Sequence, residues 1–267
     1  MAAVVISLMI QKGGTGKSVT SLNLASELAE QGNKVLLIDF DSQGTSTKLS
    51  GVEFDEEKTI INVIADIVEE DKGDKKDPID PNDVIYPAAG GFSVLPSSPS
   101  LANLENKEEV NYFVMKNLIK PYKRKFDYII IDTPPALGNC LKMAAVASDY
   151  IIIPVLATAS SIEGLYDFEL TFLDIKRYLN KKLRILGILL CQFDTRTKFA
   201  KVAQQVFEEE SARLKTSVFD TKIRKGVAVE EALAFREPLK TYAPKSKPRL
   251  DYKAFADEVA ERISNNG

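Results

Sequence analysis

Residues 13–18, Gly-Gly-Thr-Gly-Lys-Ser, form a glycine-rich segment between an apolar run and a helical pattern. The apolar run Val4–Ile10 precedes the segment, and the helical pattern Lys17–Gln31 follows it. Glycine allows the backbone to turn so tightly that several N–H groups converge, and the positive N-terminal end of the next helix points at the same place. A strand, loop and helix in this order are typical of a phosphate-binding loop in an α/β protein.

Short apolar runs alternate with helical patterns along the rest of the chain. The predicted strands are Val4–Ile10, Val35–Asp39, Phe92–Leu95, Tyr128–Asp132, Tyr150–Val155 and Leu183–Cys191. The predicted helices are Lys17–Gln31, Thr59–Glu69, Glu108–Lys123, Ile162–Leu179 and Lys198–Arg213. Several strands are continuously apolar, which is expected when helices cover both faces of a parallel sheet. The sequence therefore predicts an α/β fold with a doubly wound, mostly parallel sheet, helices on both faces and right-handed crossovers.

The whole chain, residues 1–267, is expected to form a single domain. The segment from Glu53 to Asp83 carries twelve acidic and four basic residues, and we predict an acidic loop insertion around 70–83. Apolar residues at helical spacing predict a C-terminal helix over 250–264. The other face of that helix carries more acidic than basic residues, so we expect it to pack on the body of the protein and not on a membrane.

Composition excludes several classes of site. The chain has no histidine, which excludes Ser-His-Asp catalysis and histidine-ligated metals. Its two cysteines, Cys140 and Cys191, are too few for a four-thiolate zinc site. The net charge of −3 gives no overall electrostatic case for nucleic acid, although a local basic face is compatible with it. No apolar run approaches the roughly 18 residues that span a bilayer, and we expect a cytoplasmic protein without membrane attachment.

Lys17 and Ser18 are the residues of the glycine-rich loop expected to act on a phosphate chain. The lysine reaches the β- and γ-phosphates, and the serine hydroxyl ligates Mg²⁺. The strict pattern G-x-x-x-x-G-K-[ST] begins with glycine, whereas this chain has Gln11 there. The strand before the loop and the helix after it favour a ligand site over a glycine-rich turn that binds nothing.

Two aspartates end predicted strands. Asp39 ends Val-Leu-Leu-Ile-Asp, and Asp132 ends Tyr-Ile-Ile-Ile-Asp. Ligands of open α/β sheets bind at the carboxyl ends of strands, so we expect both carboxylates to face the crevice beside the loop. An apolar strand that ends in aspartate is the form of a Walker B motif, so Asp132 is the candidate for the carboxylate that holds Mg²⁺.

These motifs resemble those of the ParA/Soj/MinD class of deviant Walker A ATPases, most closely the short ParA-type partition ATPases. Lys-Gly-Gly-Thr-Gly-Lys-Ser, residues 12–18, is similar to the deviant motif, and Asp-Phe-Asp-Ser-Gln-Gly, residues 39–44, to the switch of the class. Residues 131–135, Ile-Asp-Thr-Pro-Pro, resemble its Walker B strand. The stretches 153–155 and 163–165 resemble those that line its dimer interface. The resemblance covers nearly the whole chain.

The resemblance implies an Mg²⁺-dependent ATPase that is slow and stimulated by a partner, with ATP and Mg²⁺ as its cofactors. Its catalytic residues would be Lys12, Lys17 and Asp41. Its nucleotide-binding residues would be Lys12, Gly13, Gly14, Thr15, Gly16, Lys17, Ser18 and Val19. Its metal-site residues would be Ser18, Asp39 and Asp132. In the class, the lysine matched by Lys12 reaches the phosphates of the partner subunit, and the aspartate matched by Asp41 positions the attacking water.

The resemblance also implies an ATP-dependent nucleotide-sandwich homodimer that binds DNA non-specifically and associates with the nucleoid. A ParB-like centromere-binding protein would be its partner. From Arg196 to Arg249 the chain carries thirteen basic and seven acidic residues. The DNA-binding candidates are Arg196, Lys198, Arg224, Lys225, Lys245 and Lys247. A second arginine of the class falls on Ala228, and Arg224 and Lys225 are the nearby substitutes.

Three other functions are weighed against this one. A MinD-like or protein-cargo-positioning ATPase is the first alternative, and the acidic C-terminal helix argues against its membrane-bound form. A metal-cluster carrier would need paired interface cysteines, and Cys140 has no second thiol near it in sequence. A metabolic ligase or kinase would need a motif for a second substrate, which we do not find.

Overall fold

A central seven-stranded sheet organises the protein. The computed structural model describes residues 2–72, 79–105 and 107–266. The strands are β1 Val4–Leu8, β2 Val35–Asp39, β3 Tyr86–Pro87, β4 Ser93–Leu95, β5 Tyr128–Asp132, β6 Tyr150–Leu156 and β7 Arg184–Cys191. Their order in the sheet is β3-β4-β2-β5-β1-β6-β7, and every neighbouring pair except β3–β4 is parallel. The predicted doubly wound, mostly parallel α/β fold is confirmed.

Helices connect the strands and cover both faces of the sheet. The helices are α1 Lys17–Glu30, α2 Thr45–Leu49, α3 Ile60–Lys72, α4 Ala102–Glu105, α5 Val114–Leu118, α6 Asn139–Ala147, α7 Ala159–Asp174, α8 Lys198–Arg213, α9 Val227–Phe235, α10 Leu239–Tyr242 and α11 Lys247–Asn266. Alternate strand residues enter two separate buried clusters, with Ile129 and Ile131 in one and Ile130 in the other. Side chains alternate across a strand, so the two clusters lie on opposite faces of the sheet.

The predicted helix Glu108–Lys123 is wrong. The structure has only α5 and a 3-10 turn, Tyr122–Arg124, within that region. Pro121 lies between them and provides no N–H for a continuing helix. The helix α6 was not predicted, because seven of its nine residues are buried and its sequence shows no polar face.

The two segments predicted from charge and spacing differ from their expected bounds. The helix α3 extends to Lys72, so residues 70–72 are helical and do not belong to the predicted loop around 70–83. Residues 73–78 of that loop lie outside the described residues. The C-terminal helix α11 packs against α1, and its Phe255 and Val259 side chains are fully buried. Across the described ranges, no helix is long and apolar enough to cross a membrane.

The sheet order brings three strand ends together. The central strand β1 lies between β5 and β6, and β5 lies between β1 and β2. In the parallel register, Leu8 pairs with Asp132, and Asp39 also pairs with Asp132. The loop that follows β1 therefore lies beside both aspartates, at the carboxyl edge where open α/β sheets bind ligands.

Candidate nucleotide-binding site

The glycine-rich loop has the backbone that a phosphate cradle needs. Gly14 and Gly16 adopt positive φ angles of 75° and 89°, which side-chain-bearing residues rarely adopt. Gly16 caps the N-terminus of α1, and its carbonyl accepts the first helical hydrogen bond from Thr20 N at 2.8 Å. The free N–H groups of the loop and the first turn of α1 thus point into one place.

Lys17 is buried at the start of α1, with 7% of its surface exposed. Its Nζ donates to the carbonyl of Lys12 at 2.9 Å and lies 3.4 Å from that of Ile10. Burial lowers the pKa of Lys17, and the charges of Asp132 and Asp41 partly oppose that effect. An anionic ligand would stabilise the charged ammonium here.

Asp39 and Asp132 are fully buried neighbours at the ends of β2 and β5. Burial raises the pKa of both carboxyl groups, and the charge of Asp132 raises that of Asp39 further. Two adjacent buried carboxylates favour a bound cation, because a positive charge stabilises both ionised forms.

Hydroxyl groups hold both carboxylates. Ser46 Oγ donates to Asp132 Oδ2 at 2.6 Å, and Ser21 Oγ donates to Asp132 Oδ1 at 3.1 Å. Thr47 donates to Asp39 Oδ2 from its backbone N at 2.7 Å and from Oγ1 at 2.8 Å. The sequence analysis missed these three residues. Two signals could have found them: Ser21 lies one helical turn after Ser18, and residues 45–47 are three hydroxyl residues directly after the switch motif.

Asp41 lies in the loop between β2 and α2, with 8% of its surface exposed. Its Oδ1 accepts a hydrogen bond from Gln43 N at 3.0 Å, and its carbonyl accepts one from Ser97 Oγ at 2.5 Å. The side chain lines the same cleft as Lys17, and its Oδ2 accepts no hydrogen bond from a described residue.

The cleft at this edge has a volume of about 280 Å³. Its lining includes residues of the glycine-rich loop, the switch aspartate and residues after β5 and β7: Gly13, Gly14, Gly16, Lys17, Ser18, Val19, Asp41, Thr45, Pro135 and Gln192. Beside it, Thr15 Oγ1 and Gln11 Oε1 are buried without a hydrogen-bond partner in the described chain. Free backbone donors, one buried ammonium and two buried carboxylates fit a polyphosphate together with a divalent cation.

A second cavity, of about 90 Å³, adjoins the loop on the side of α9. Gly16 and Val19 line it from the loop side, and Tyr252, Val229 and Leu233 line it from α11 and α9. Its walls are mainly apolar, and it opens next to the first turn of α1. This position and lining suit a flat, largely apolar group attached to the phosphate chain.

Lys12 is exposed at the rim of the cleft, and its ammonium forms no hydrogen bond or ion pair within the described residues. The loop at this point packs closely on α7. A Cβ at Gly164 would lie 3.1 Å from the carbonyl oxygen of Gln11, so only glycine fits here without displacement. The lysine is thus presented outward by a backbone that α7 supports.

The predicted DNA-binding residues differ in whether their side chains are already held in ion pairs. Arg196 forms a two-point ion pair with Asp194 at 2.7 and 2.9 Å, and Arg224 forms one with Asp251 at 2.7 and 2.8 Å. Three of the other candidates, Lys225, Lys245 and Lys247, are exposed and form no ion pair with a described residue. The side chain of Lys198 lies outside the described residues.

Both cysteines are free and buried. Burial raises the pKa of both thiols, to about 12 for Cys191. Cys191 Sγ lies 3.8 Å from Thr20 Oγ1, behind the glycine-rich loop. Buried thiols with raised pKa values are poor metal ligands, which does not favour a metal-cluster carrier.

The chain is similar to known proteins over nearly its whole length. The AAA_31 family, described as an AAA domain, matches residues 3–185. The chromosome partitioning protein ParA of Myxococcus xanthus is 32% identical over 97% of this chain and 88% of its own length. The sporulation initiation inhibitor protein Soj of Bacillus subtilis is 34% identical over 96% of this chain and 98% of its own length.

A solved structure shares the fold. Cobyrinic acid a,c-diamide synthase from Mycobacterium smegmatis, with bound ADP and magnesium, superposes with a TM-score of 0.78 and 25% identity. The similarity covers 99% of this chain and 97% of that one.

Proposed function

Because the chain belongs to the AAA domain family and, within it, to the ParA/Soj chromosome-partitioning ATPases, we propose that it is an ATP-switched DNA-partition ATPase. ATP favours a dimer, the dimer binds DNA non-specifically, and a partner protein stimulates hydrolysis and release. The observation that carries the proposal is that Lys17 and Asp41 line the cleft beside the glycine-rich loop, while the buried pair Asp39 and Asp132 lies behind it, with the charge of Asp132 acting on Lys17.

Different residues of the site would bind the phosphates and the metal ion. The N–H groups of residues 13–18 and the Lys17 ammonium hold the β- and γ-phosphates. Ser18, Asp39 and Asp132 are the residues that would hold Mg²⁺, directly or through water. When bound, the metal neutralises charge on the phosphate oxygens. The diamide synthase of the same fold contains ADP and magnesium, which supports this assignment.

Two further residues serve hydrolysis. Asp41 accepts a hydrogen bond from the attacking water and orients it towards the γ-phosphate; the chain has no histidine that could do so. Lys12 places a second ammonium on the phosphates of the opposite subunit, where it stabilises charge in the transition state as an arginine finger does. Its exposure at the rim of the cleft supports an action on another chain.

DNA binding and release connect the ATPase to partition. Lys225, Lys245 and Lys247 are exposed, so we expect them to contact phosphates more readily than Arg196 and Arg224, which are held in ion pairs. The relatives' names, chromosome partitioning protein and Soj, support a DNA cargo. The stimulating partner is a ParB-like centromere-binding protein, and the ATP-bound dimer associates with the nucleoid.

Fluorescence anisotropy on two unrelated duplexes tests this function, with ADP and with a slowly hydrolysed ATP analogue, over a salt series. We expect binding with the analogue that falls steeply with salt, because each neutralised phosphate contributes roughly −0.9 to the slope of log affinity against log salt. Lys245→Glu/Lys247→Glu should weaken binding without changing ATP affinity. Equal binding with ADP and with the analogue contradicts the switch. Liposome association in the absence of DNA binding favours the membrane-cycling alternative.

A further inference from the structure

A second basic surface lies at the opposite edge of the sheet. An open groove of about 790 Å³ follows the amino ends of β1, β6 and β7. A smaller cavity of about 360 Å³ adjoins it and shares Tyr150, Lys176 and Arg184 with it. We call this surface the amino-edge groove. Besides Arg213, its basic residues are Lys123, Lys176, Lys181, Lys182, Arg184 and Lys215.

The acidic residues of this surface are already engaged. Asp149 Oδ2 accepts a hydrogen bond from Val5 N at 2.9 Å, and Glu169 forms an ion pair of 2.5 Å with Arg213. Lys123, Lys181 and Lys182 form no ion pair or hydrogen bond through Nζ in the part of the chain that is described. The positive charges of these three lysines are therefore unpaired within the described residues, although the whole chain is acidic, and Asp149 contributes one negative charge to the groove.

Hydrogen bonds fix the backbone of the segment 175–180 beside the groove. The helix α7 ends in a π-helical turn, Ile175–Leu179, in which Asn180 N donates to Ile175 O at 2.8 Å. The side-chain amide of Asn180 donates to three carbonyls at the end of α6: Ala145 at 3.0 Å, Val146 at 3.3 Å and Ser148 at 2.8 Å. Lys176 lies in the π-helical turn, with its Nζ 5.6 Å from the centre of the Phe172 ring. Such turns are frequent at functional sites.

The chemistry of the groove points to a chain of phosphates. Lysine and arginine side chains are hydrogen-bond donors only, and phosphate oxygens are acceptors only. The groove has no glycine-rich loop that could enclose a single nucleotide. It is long and open, and its lysines come from several segments, which suits the repeated charges of a nucleic-acid backbone.

We infer that the amino-edge groove is a second DNA-binding surface, which contacts the phosphates of duplex DNA without reading sequence. The inference rests on the proposed function for its choice of DNA. Strands of five to eight residues at ~3.3 Å per residue place the groove roughly 20 Å from the nucleotide cleft. A dimer joined through its nucleotide clefts would leave this edge uncovered.

The test replaces two exposed lysines that touch nothing in the nucleotide cleft. Anisotropy with a labelled 24-base-pair duplex is measured for Lys181→Glu/Lys182→Glu in the presence of the ATP analogue. Lys116→Glu/Lys120→Glu is the matched control, because it makes the same change in net charge at two exposed lysines outside the groove. We expect the groove variant to bind at least tenfold more weakly, with a salt slope smaller by about two, because each phosphate contact contributes about one. The control should keep the wild-type slope.

Three outcomes overturn the inference, and they separate it from the proposed function. If both double variants bind DNA like the wild type, the groove has no role and the ATP-switched DNA binding stands. If both lose affinity equally, net charge and not the groove is responsible. If the wild type binds a labelled poly-glutamate peptide through the groove and binds no duplex, its partner is an acidic protein, and the DNA function fails as well. ATP affinity, measured in parallel, should be unchanged in every variant.

Discussion

Ser46, the second residue of α2, donates a hydrogen bond of 2.6 Å to Asp132 Oδ2 at the end of β5. The next residue, Thr47, donates to Asp39 Oδ2 at 2.8 Å. The short helix that follows the switch loop is thus attached to both buried carboxylates. Because Asp41 precedes this helix, one continuous segment contains Asp41 and holds the two buried carboxylates.

Ser46→Ala should weaken nucleotide binding only when Mg²⁺ is present. Partners that orient a metal ligand typically contribute 10–100-fold in metal affinity, and we expect about tenfold for this hydroxyl. The measurement is titration with a fluorescent ADP analogue, in Mg²⁺ and in EDTA. Ser46→Thr, which retains a hydroxyl, should restore much of the lost affinity.

Ser50→Ala is the control for Ser46→Ala. Ser50 is also buried and caps the same helix, but its Oγ donates to the carbonyl of Thr47 at 2.7 Å and contacts no carboxylate. We expect Ser50→Ala to keep the Mg²⁺-dependent gain in affinity. An equal loss in the two variants would mean that the integrity of α2, and not the hydrogen bond to Asp132, determines metal binding.

Lys17→Ala should abolish detectable ATP binding. In the proposed site the buried ammonium is the main positive charge facing the β- and γ-phosphates, so alanine would leave their charge without a counter-ion. Isothermal titration calorimetry with Mg²⁺·ATP measures the effect, and the thermal unfolding midpoint shows whether the variant is folded. Wild-type affinity in a folded Lys17→Ala protein would exclude this cleft as the nucleotide site.

Lys12→Ala should behave differently from Lys17→Ala. The Lys12 side chain is exposed and is expected to act on the other subunit, so ADP binding to the single chain should be retained. Dimerisation with the ATP analogue should be lost or strongly weakened, as measured by light scattering. A variant that dimerises like the wild type would remove the proposed action of Lys12 across the interface.

The sequence was sufficient to predict the parallel strands of the sheet and the position of the glycine-rich loop beside the two strand-end aspartates. The bounds of β2 and β5 were predicted correctly, because continuously apolar strands ending in aspartate are conspicuous in a parallel sheet. Their carboxyl ends had to lie near the glycine-rich loop for the same topological reason. The strand β3 was not predicted, because its two residues, Tyr86 and Pro87, are too few to show the alternation of apolar and polar side chains that marks a strand.

Contacts between distant segments were beyond prediction from the sequence. The ion pair of Arg224 with Asp251 joins residues 27 positions apart and reduces the availability of a predicted DNA-binding arginine. The amino-edge groove was missed for a similar reason. Its lysines come from the segments around Lys123, Lys181 and Lys215, and only the tertiary structure brings these together.

The central claim, that ATP hydrolysis at this cleft reverses an ATP-dependent dimer, is tested most directly at Asp41. In Asp41→Asn the amide oxygen can still accept the hydrogen bond from Gln43 N, so the loop is preserved while the charged water-orienting group is removed. Light scattering with Mg²⁺·ATP, with phosphate release followed in the same sample, should show a persistent species of twice the mass of one chain and no hydrolysis. Wild-type phosphate release by Asp41→Asn, or a variant that stays monomeric with ATP bound, would contradict the account.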